Sequence, residues 1–154
     1  MTDIFWIGGT KAGALMGEAI VVKKDLADGF VFHLKQHGAL LAKGRILGVQ
    51  FMELFRSDLF FTLATHANEM AQKISTSFEG LGYRLAAETE TNQVFVILPQ
   101  QLVRSLQDRF RFYVWEQLDN GEIVIRLVTS WATDEQEIDK FNAWVQQWTV
   151  ATNI

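Results

Sequence analysis

The stretch FWIGGTKAGALMGEAIV, residues 5–21, places one cation, Lys11, two residues after a Gly-Gly pair and between two apolar segments. Glycine allows a tight turn and a close approach of other backbone. The β-branched residues after Gly17 predict a strand. A lysine at such a turn is either a solvated turn residue or a nucleophilic amine in a semi-buried pocket, and the rest of the sequence has to separate the two possibilities.

The composition excludes several classes of protein. The 154 residues, of which 49% are hydrophobic, suit a single core with a small appendage. The net charge of −4 and the lack of a basic stripe predict no nucleic-acid partner. The absence of cysteine excludes disulfides and thiolate chemistry. The N-terminus lacks a signal-peptide pattern, and no apolar run reaches the roughly 18 residues that span a membrane, so we expect a soluble, cytoplasmic protein without a membrane partner.

Apolar spacing predicts two long helices in the first half of the chain. The first covers residues 33–56, where no proline interrupts an apolar set at helical spacing: Leu40, Leu47, Phe51 and Leu54. Asp58 is a suitable N-cap for the second helix. Gly82 predicts the end of that helix, because glycine readily adopts the left-handed conformation of a helix C-terminus.

After Gly82 the pattern changes to a β-β-α-β-β-α module. Strands are predicted at 83–87, 94–98, 112–116 and 123–128, and the last two are joined by the turn sequence Asp119-Asn120-Gly121. Pro99 opens the short first helix of the module. The final helix is predicted to begin at Thr133, with Gln136 completing a capping box.

The predicted fold class is therefore α/β, with two long helices followed by this module. Two strands alone rarely form an independent sheet. We therefore expect residues 1–56 to be the end of a larger domain and residues 57–154 to form a complete small α/β domain.

The chemical motifs of several enzyme classes are absent. His33 and His37 have the i,i+4 spacing of a metal pair, but no third ligand follows, so we expect surface histidines and no metal. His66 lies beside the apolar stripe of the second helix, where we expect a satisfied interior or interhelix residue. The segment GGTKAG has neither the Walker nor the dinucleotide spacing, and no Gly-x-Ser-x-Gly elbow is present.

Arg126 lies on a predicted strand, EIVIRLVTSW, with Val124 and Val128 on the same face. A guanidinium flanked by valines has to be paired, because an isolated buried charge is very costly. Its partner is either a structural carboxylate or the carboxylate of a substrate, which the planar guanidinium would hold through two hydrogen bonds. The strand pattern alone does not choose between the two.

Three segments in order, GGTKAGALMGEAIV, ETNQVFVIL and IRLVTSW, resemble the low-specificity threonine aldolases. These are aromatic amino acid β-eliminating lyases of the fold-type I group, which depends on pyridoxal 5′-phosphate (PLP). The resemblance covers the whole chain. It implies the C-terminal half of a lyase that cleaves β-hydroxy amino acids to glycine and an aldehyde.

The resemblance also implies roles for particular residues. Lys11 would be the catalytic lysine that binds the cofactor covalently, with Thr10 as a nearby cofactor contact. Arg126 would hold the substrate carboxylate. Lys43 occupies the place where many family members carry an arginine that reaches the cofactor phosphate of a neighbouring subunit, and the alternative for Lys43 is an exposed helix residue. Asn92 would support the start of its strand.

Other groups that the family uses lie upstream of the lysine, including the phosphate cup, the ring-stacking residue and the aspartate on the pyridine nitrogen. We therefore expect this chain to be inactive alone, to form homo-oligomers, and to need an N-terminal half that could be separately encoded. Two alternatives remain open: a different fold-type I lyase that performs β-elimination, and a non-catalytic remnant that acts as an oligomerisation or binding module.

Overall fold

In a computed structural model that describes residues 2–152, the chain divides into two units, Met1–Thr62 and Leu63–Ile154. The predicted assignment of residues 1–56 to a larger domain and of residues 57–154 to a small domain stays a prediction. None of the helices within residues 2–152 combines the length and the apolar character that crossing a membrane requires.

The first unit consists of a hairpin followed by two short helices. Strands β1 (Ile4–Gly8) and β2 (Glu18–Val22) pair antiparallel, with Ile4 opposite Val22 and Gly8 opposite Glu18. This confirms the strand predicted after Gly17. Helices α1 (Phe30–Gln36) and α2 (Arg45–Phe55) follow.

The prediction of one continuous helix over residues 33–56 is wrong. Gly38 has a φ of 71°, its N–H donates to the carbonyl of Lys35, and the N–H of Ala39 donates to the carbonyl of Leu34. These two bonds form a Schellman motif, which ends a helix by satisfying its last carbonyls. The apolar spacing continues past Gly38, but the helix stops there and a new one starts at Arg45. Of the two long helices predicted for the first half of the chain, only the second is therefore present.

That long helix, α3 (Leu59–Gly80), has both of its predicted ends close to their expected positions. It begins directly after Asp58. At the other end Gly82 has a φ of 85°, and the N–H groups of Gly82 and Tyr83 donate to the carbonyls of Glu79 and Phe78. The rings of Tyr83 and Phe78 pack edge to face at 5.8 Å, which supplies the apolar contact typical of a Schellman motif.

The predicted β-β-α-β-β-α module is confirmed. An antiparallel sheet has the strand order β3-β4-β6-β5, and its elements are β3 (Arg84–Leu85), β4 (Gln93–Pro99), α4 (Gln100–Gln107), β5 (Tyr113–Gln117), β6 (Glu122–Val128) and α5 (Glu135–Thr152). One sheet face packs with residues of the helices to form the core. Its members with less than 2% exposure include Phe78, Val94, Val96, Leu98, Leu102, Leu106, Ile125 and Val145.

The start of α5 differs from the predicted one by a residue. Asp134, rather than Thr133, caps the helix, since its Oδ1 accepts the N–H of Gln136 at 2.9 Å. Thr133 instead accepts the N–H of Ser130 through its hydroxyl, and its carbonyl lies 2.8 Å from Nε2 of His66. His66 is thus half-buried and hydrogen-bonded to the loop before α5, so it is satisfied, as the sequence predicts.

Candidate functional site

Lys11 lies in a short 3₁₀ turn, Thr10–Ala12, directly after β1. The side chains of Thr10 and Lys11 are exposed, whereas Ala12 is only 4% exposed. The carbonyl of Gly9 accepts the N–H groups of both Ala12 and Ala14, at 3.0 and 2.9 Å. Gly13 then reverses the chain with a φ of 97°. Backbone hydrogen bonds therefore fix the turn that presents the lysine.

Helix α2 packs against this turn. A Cβ atom on Gly9 would lie 2.6 Å from Cβ of Ala14 and 3.0 Å from Cζ of Phe51, so only glycine fits there. The same atom on Gly8 would meet open space. Oε1 of Gln50 accepts the N–H of Leu15 at 2.6 Å. Gly9, the second glycine of the pair, is therefore the one that allows the turn to pack against α2.

Of the two possibilities for Lys11, the structure shows an exposed side chain on a fixed turn. Among the ion pairs found within residues 2–152, none involves Lys11. Lys43 is also exposed and lies in the turn before α2, not within a helix, with its carbonyl accepting the N–H of Ile46 at 3.1 Å. No ion pair of the described part of the chain joins Lys43 to the Lys11 turn.

Arg126 lies in the middle of β6, within the second unit. Its Cζ is 4.9 Å from the ring centroid of Tyr113 and 5.1 Å from that of Trp115. No carboxylate of the described residues forms an ion pair with it, and its Nε atom is buried without a hydrogen-bond acceptor. The structural salt bridge that the sequence left open is therefore not found within residues 2–152.

Arg126 and Tyr113 line a cleft of about 520 Å³ near β5. Its polar lining also includes Arg111, Thr129 and Glu137, and its remaining walls are mostly apolar. Thr129 is buried, and its hydroxyl donates to the carbonyl of Ala67 at 2.6 Å. A cationic group in a mostly apolar cleft can bind a small anion, since the apolar walls reduce competition from water.

The loop before β4 is tied to the end of β6. Nδ2 of Asn92 donates to the carbonyl of Thr129 at 2.7 Å, and the N–H of Thr129 donates back to the carbonyl of Asn92 at 3.0 Å. The predicted support of the strand start by Asn92 is therefore present.

The sequence-based prediction misses the aromatic neighbours of Arg126, Tyr113 and Trp115. A signal for them exists, because Tyr113 and Trp115 alternate on a strand predicted to pair with the strand of Arg126. Within residues 2–152, no group of three His, Cys, Asp or Glu side chains could hold a metal ion.

Comparison with known proteins shows which family the chain resembles. No protein-family model matches the sequence. The low specificity L-threonine aldolase of Pseudomonas aeruginosa is 33% identical over 139 residues, which are 88% of this chain and 39% of the relative. The enzyme of the same name from Pseudomonas sp. (strain NCIMB 10558) is 31% identical over 144 residues, which are 92% of this chain and 40% of the relative.

A solved structure agrees with these relatives. A threonine aldolase from Leishmania major superposes with a TM-score of 0.89 at 41% sequence identity, over 96% of this chain and 43% of that one. This confirms the predicted fold class. The chain spans about 40% of the length of the relatives that it matches. It is therefore a member of the threonine aldolase family that corresponds to only a part of its relatives.

Proposed function

We propose that this chain is the C-terminal portion of a PLP-dependent lyase that cleaves β-hydroxy amino acids, such as threonine, to glycine and an aldehyde. The single observation that carries the proposal is the guanidinium of Arg126, which faces a cleft without a carboxylate partner among the described residues. Such a group suits a ligand carboxylate. The names of the two curated relatives point to the same reaction.

The residues of the first unit fit the proposed cofactor. A covalent bond to PLP needs an accessible amine, and Lys11 offers one on a turn that Gly9 holds in place. Thr10 would contribute a hydrogen bond, and Lys43 would contribute a point charge towards the phosphate. When bound, PLP supplies a ring that withdraws electrons from the amino acid, which makes cleavage at its α-carbon possible.

Arg126 would orient the substrate. Two parallel hydrogen bonds from the guanidinium fix a carboxylate in position and in rotation. A fixed carboxylate determines which bond of the α-carbon is aligned for cleavage. Lys11, as an amine, could afterwards accept or return a proton near that carbon.

The partners of the chain are part of the same proposal. The relatives are longer than this chain, and a further segment, on the same or on a separately encoded polypeptide, would supply the remaining cofactor contacts. The first unit exposes several large apolar side chains, which favours association with a second copy. They include Trp6 (68% exposed), Leu15 (82%) and Phe32 (67%).

Reductive labelling tests the proposed cofactor attachment. The chain would be co-expressed with the N-terminal portion of a threonine aldolase, incubated with PLP and reduced with borohydride. Peptide mass spectrometry should find the pyridoxyl group on Lys11, and Lys11→Arg should remove it while the control Lys24→Arg keeps it. Labelling of another lysine with Lys11 unmodified would refute the assignment.

A further inference from the structure

Arg126 has aromatic residues beside it on both neighbouring strands. Tyr113 on β5 and Phe95 on β4 both lie directly opposite Arg126, one on each side of β6. Residues opposite each other in an antiparallel sheet share a face and are close enough to interact. Aromatic residues of two strands therefore flank Arg126, and the rings that its guanidinium contacts, Tyr113 and Trp115, both belong to β5.

Trp115 reaches the same guanidinium through an irregularity of β5. Val114 pairs with Ile125 and Glu116 pairs with Val124, so Trp115 is an extra residue that has no partner in the register. A β-bulge of this kind redirects the side chains around it. The indole of Trp115 lies near Arg126 and also meets the ring of Phe95 edge to face, at 5.2 Å.

We infer that Tyr113 and Trp115 are positioning residues that hold the guanidinium of Arg126 ready for a ligand carboxylate. This inference rests on the proposed function, since it gives Arg126 its carboxylate. Aromatic faces attract a guanidinium but accept none of its in-plane hydrogen bonds. A carboxylate neighbour would occupy those donors. The rings thus restrain the cation and leave its donors for the ligand.

The unpartnered Nε of Arg126 is consistent with this arrangement. The atom is buried, yet no described residue accepts its hydrogen bond. A buried donor without a partner is destabilising until an acceptor arrives. A planar carboxylate can accept from Nε and from a terminal nitrogen of the same guanidinium together.

The test compares two substitutions at one position in the full 154-residue chain. Trp115→Leu removes the ring, whereas Trp115→Phe keeps an aromatic face. The measurement is the NMR signal of the Arg126 Nε–H group, assigned by its loss in Arg126→Lys, with acetate as the carboxylate probe. In the unmodified chain and in Trp115→Phe we expect a protected signal that acetate shifts. In Trp115→Leu we expect faster exchange with water and acetate binding about two- to fivefold weaker, the loss of one cation–π contact.

A second pair, Tyr113→Leu and Tyr113→Phe, covers the case in which Trp115→Leu fails to fold, because Tyr113 is 66% exposed and its truncation spares the core. Unchanged exchange and acetate binding in the folded leucine variants would overturn the inference while leaving the carboxylate role of Arg126 intact. If acetate does not shift the signal in the unmodified chain, the carboxylate role itself is wrong, and with it the positioning for a ligand.

Discussion

Gly9 is the residue on which the presentation of Lys11 depends. An added methyl group would collide with Ala14 and Phe51, so Gly9→Ala has to push the turn away from α2. We expect a loss of about 1–3 kcal/mol in the free energy of unfolding, the range for overpacked sites. Gly8→Ala is the matched control, since its methyl group meets open space and should change stability by about 0.5 kcal/mol or less. Denaturant unfolding measures both, and equal effects would contradict the assigned role of Gly9.

Arg126 allows a second prediction on a single residue. In the complete enzyme that we propose, Arg126→Lys keeps the charge but loses the ability to form two parallel hydrogen bonds with a carboxylate. It should therefore lower kcat/KM for the amino acid, by an amount equivalent to roughly 1.5–3 kcal/mol. Cofactor labelling at Lys11 should remain unchanged. Steady-state kinetics with threonine measure the first effect, and borohydride labelling checks the second. A variant that unfolds while its folded fraction keeps normal kinetics would favour a structural role.

At the scale of elements, an ion pair between Lys73 of α3 and Glu135 at the start of α5 connects two helices. The hydrogen bond and the positive charge of Lys73 hold the pKa of Glu135 below its ordinary value. A carboxyl group whose pKa is lowered by folding stabilises the protein above its unfolded pKa, and this contribution is lost as the pH falls through the folded pKa. Glu135→Gln should therefore lower the unfolding midpoint at pH 7, and the difference from the unmodified chain should disappear as the pH falls below about 4.

Glu137→Gln is the control for this pair. Glu137 also lies in the first turn of α5, but it pairs with Lys140 of the same helix and connects no second element. Its removal should have the smaller effect at pH 7. An equal effect of the two substitutions would show that the helix terminus, and not the link to α3, is the source of the stability.

The elements that the sequence predicts well are those with local signals. Gly82 ends α3 because its own N–H and that of Tyr83 are enough to satisfy the final carbonyls of the helix, and Gly121 (φ 84°) turns β5 into β6 in the same local way. Gly38 carries the same type of signal, but the helical spacing of the apolar residues that follow it, from Leu40 to Leu54, favours a longer helix. At Thr133 the capping pattern fits, but the adjacent aspartate provides the cap.

In the candidate site too, short sequence motifs predict some residues and not others. Motif resemblance identifies Lys11 and Arg126 as candidates, and their roles stay predictions. The aromatic neighbours of Arg126 depend on the register of β5 against β6 and on the bulge at Trp115. Register is decided by pairing between strands, which no short stretch of sequence contains.

For the whole molecule, we predict that the isolated chain does not cleave threonine and does associate with itself. The proposed reaction needs the ring of PLP stacked, its nitrogen protonated and its phosphate anchored, and the resemblance to the threonine aldolases implies that these groups lie upstream of Lys11. Exposed apolar side chains of the first unit favour assembly, most directly through residues 1–56. Sedimentation and an aldolase assay on the same sample measure both properties. A monomer that cleaves threonine would contradict the prediction.

The register of the β1–β2 hairpin depends on its connection more than on the side chains of its two strands. Its strand residues are mostly exposed on both faces, so burial does little to fix which residue faces which side. The alignment of the two strands is instead set by the connection between Gly9 and Gly17, which hydrogen bonds and close contacts attach to α2. We therefore expect that apolar residues of the strands can be exchanged for one another without displacing the lysine, whereas Gly9 and Gly17 cannot be enlarged without strain.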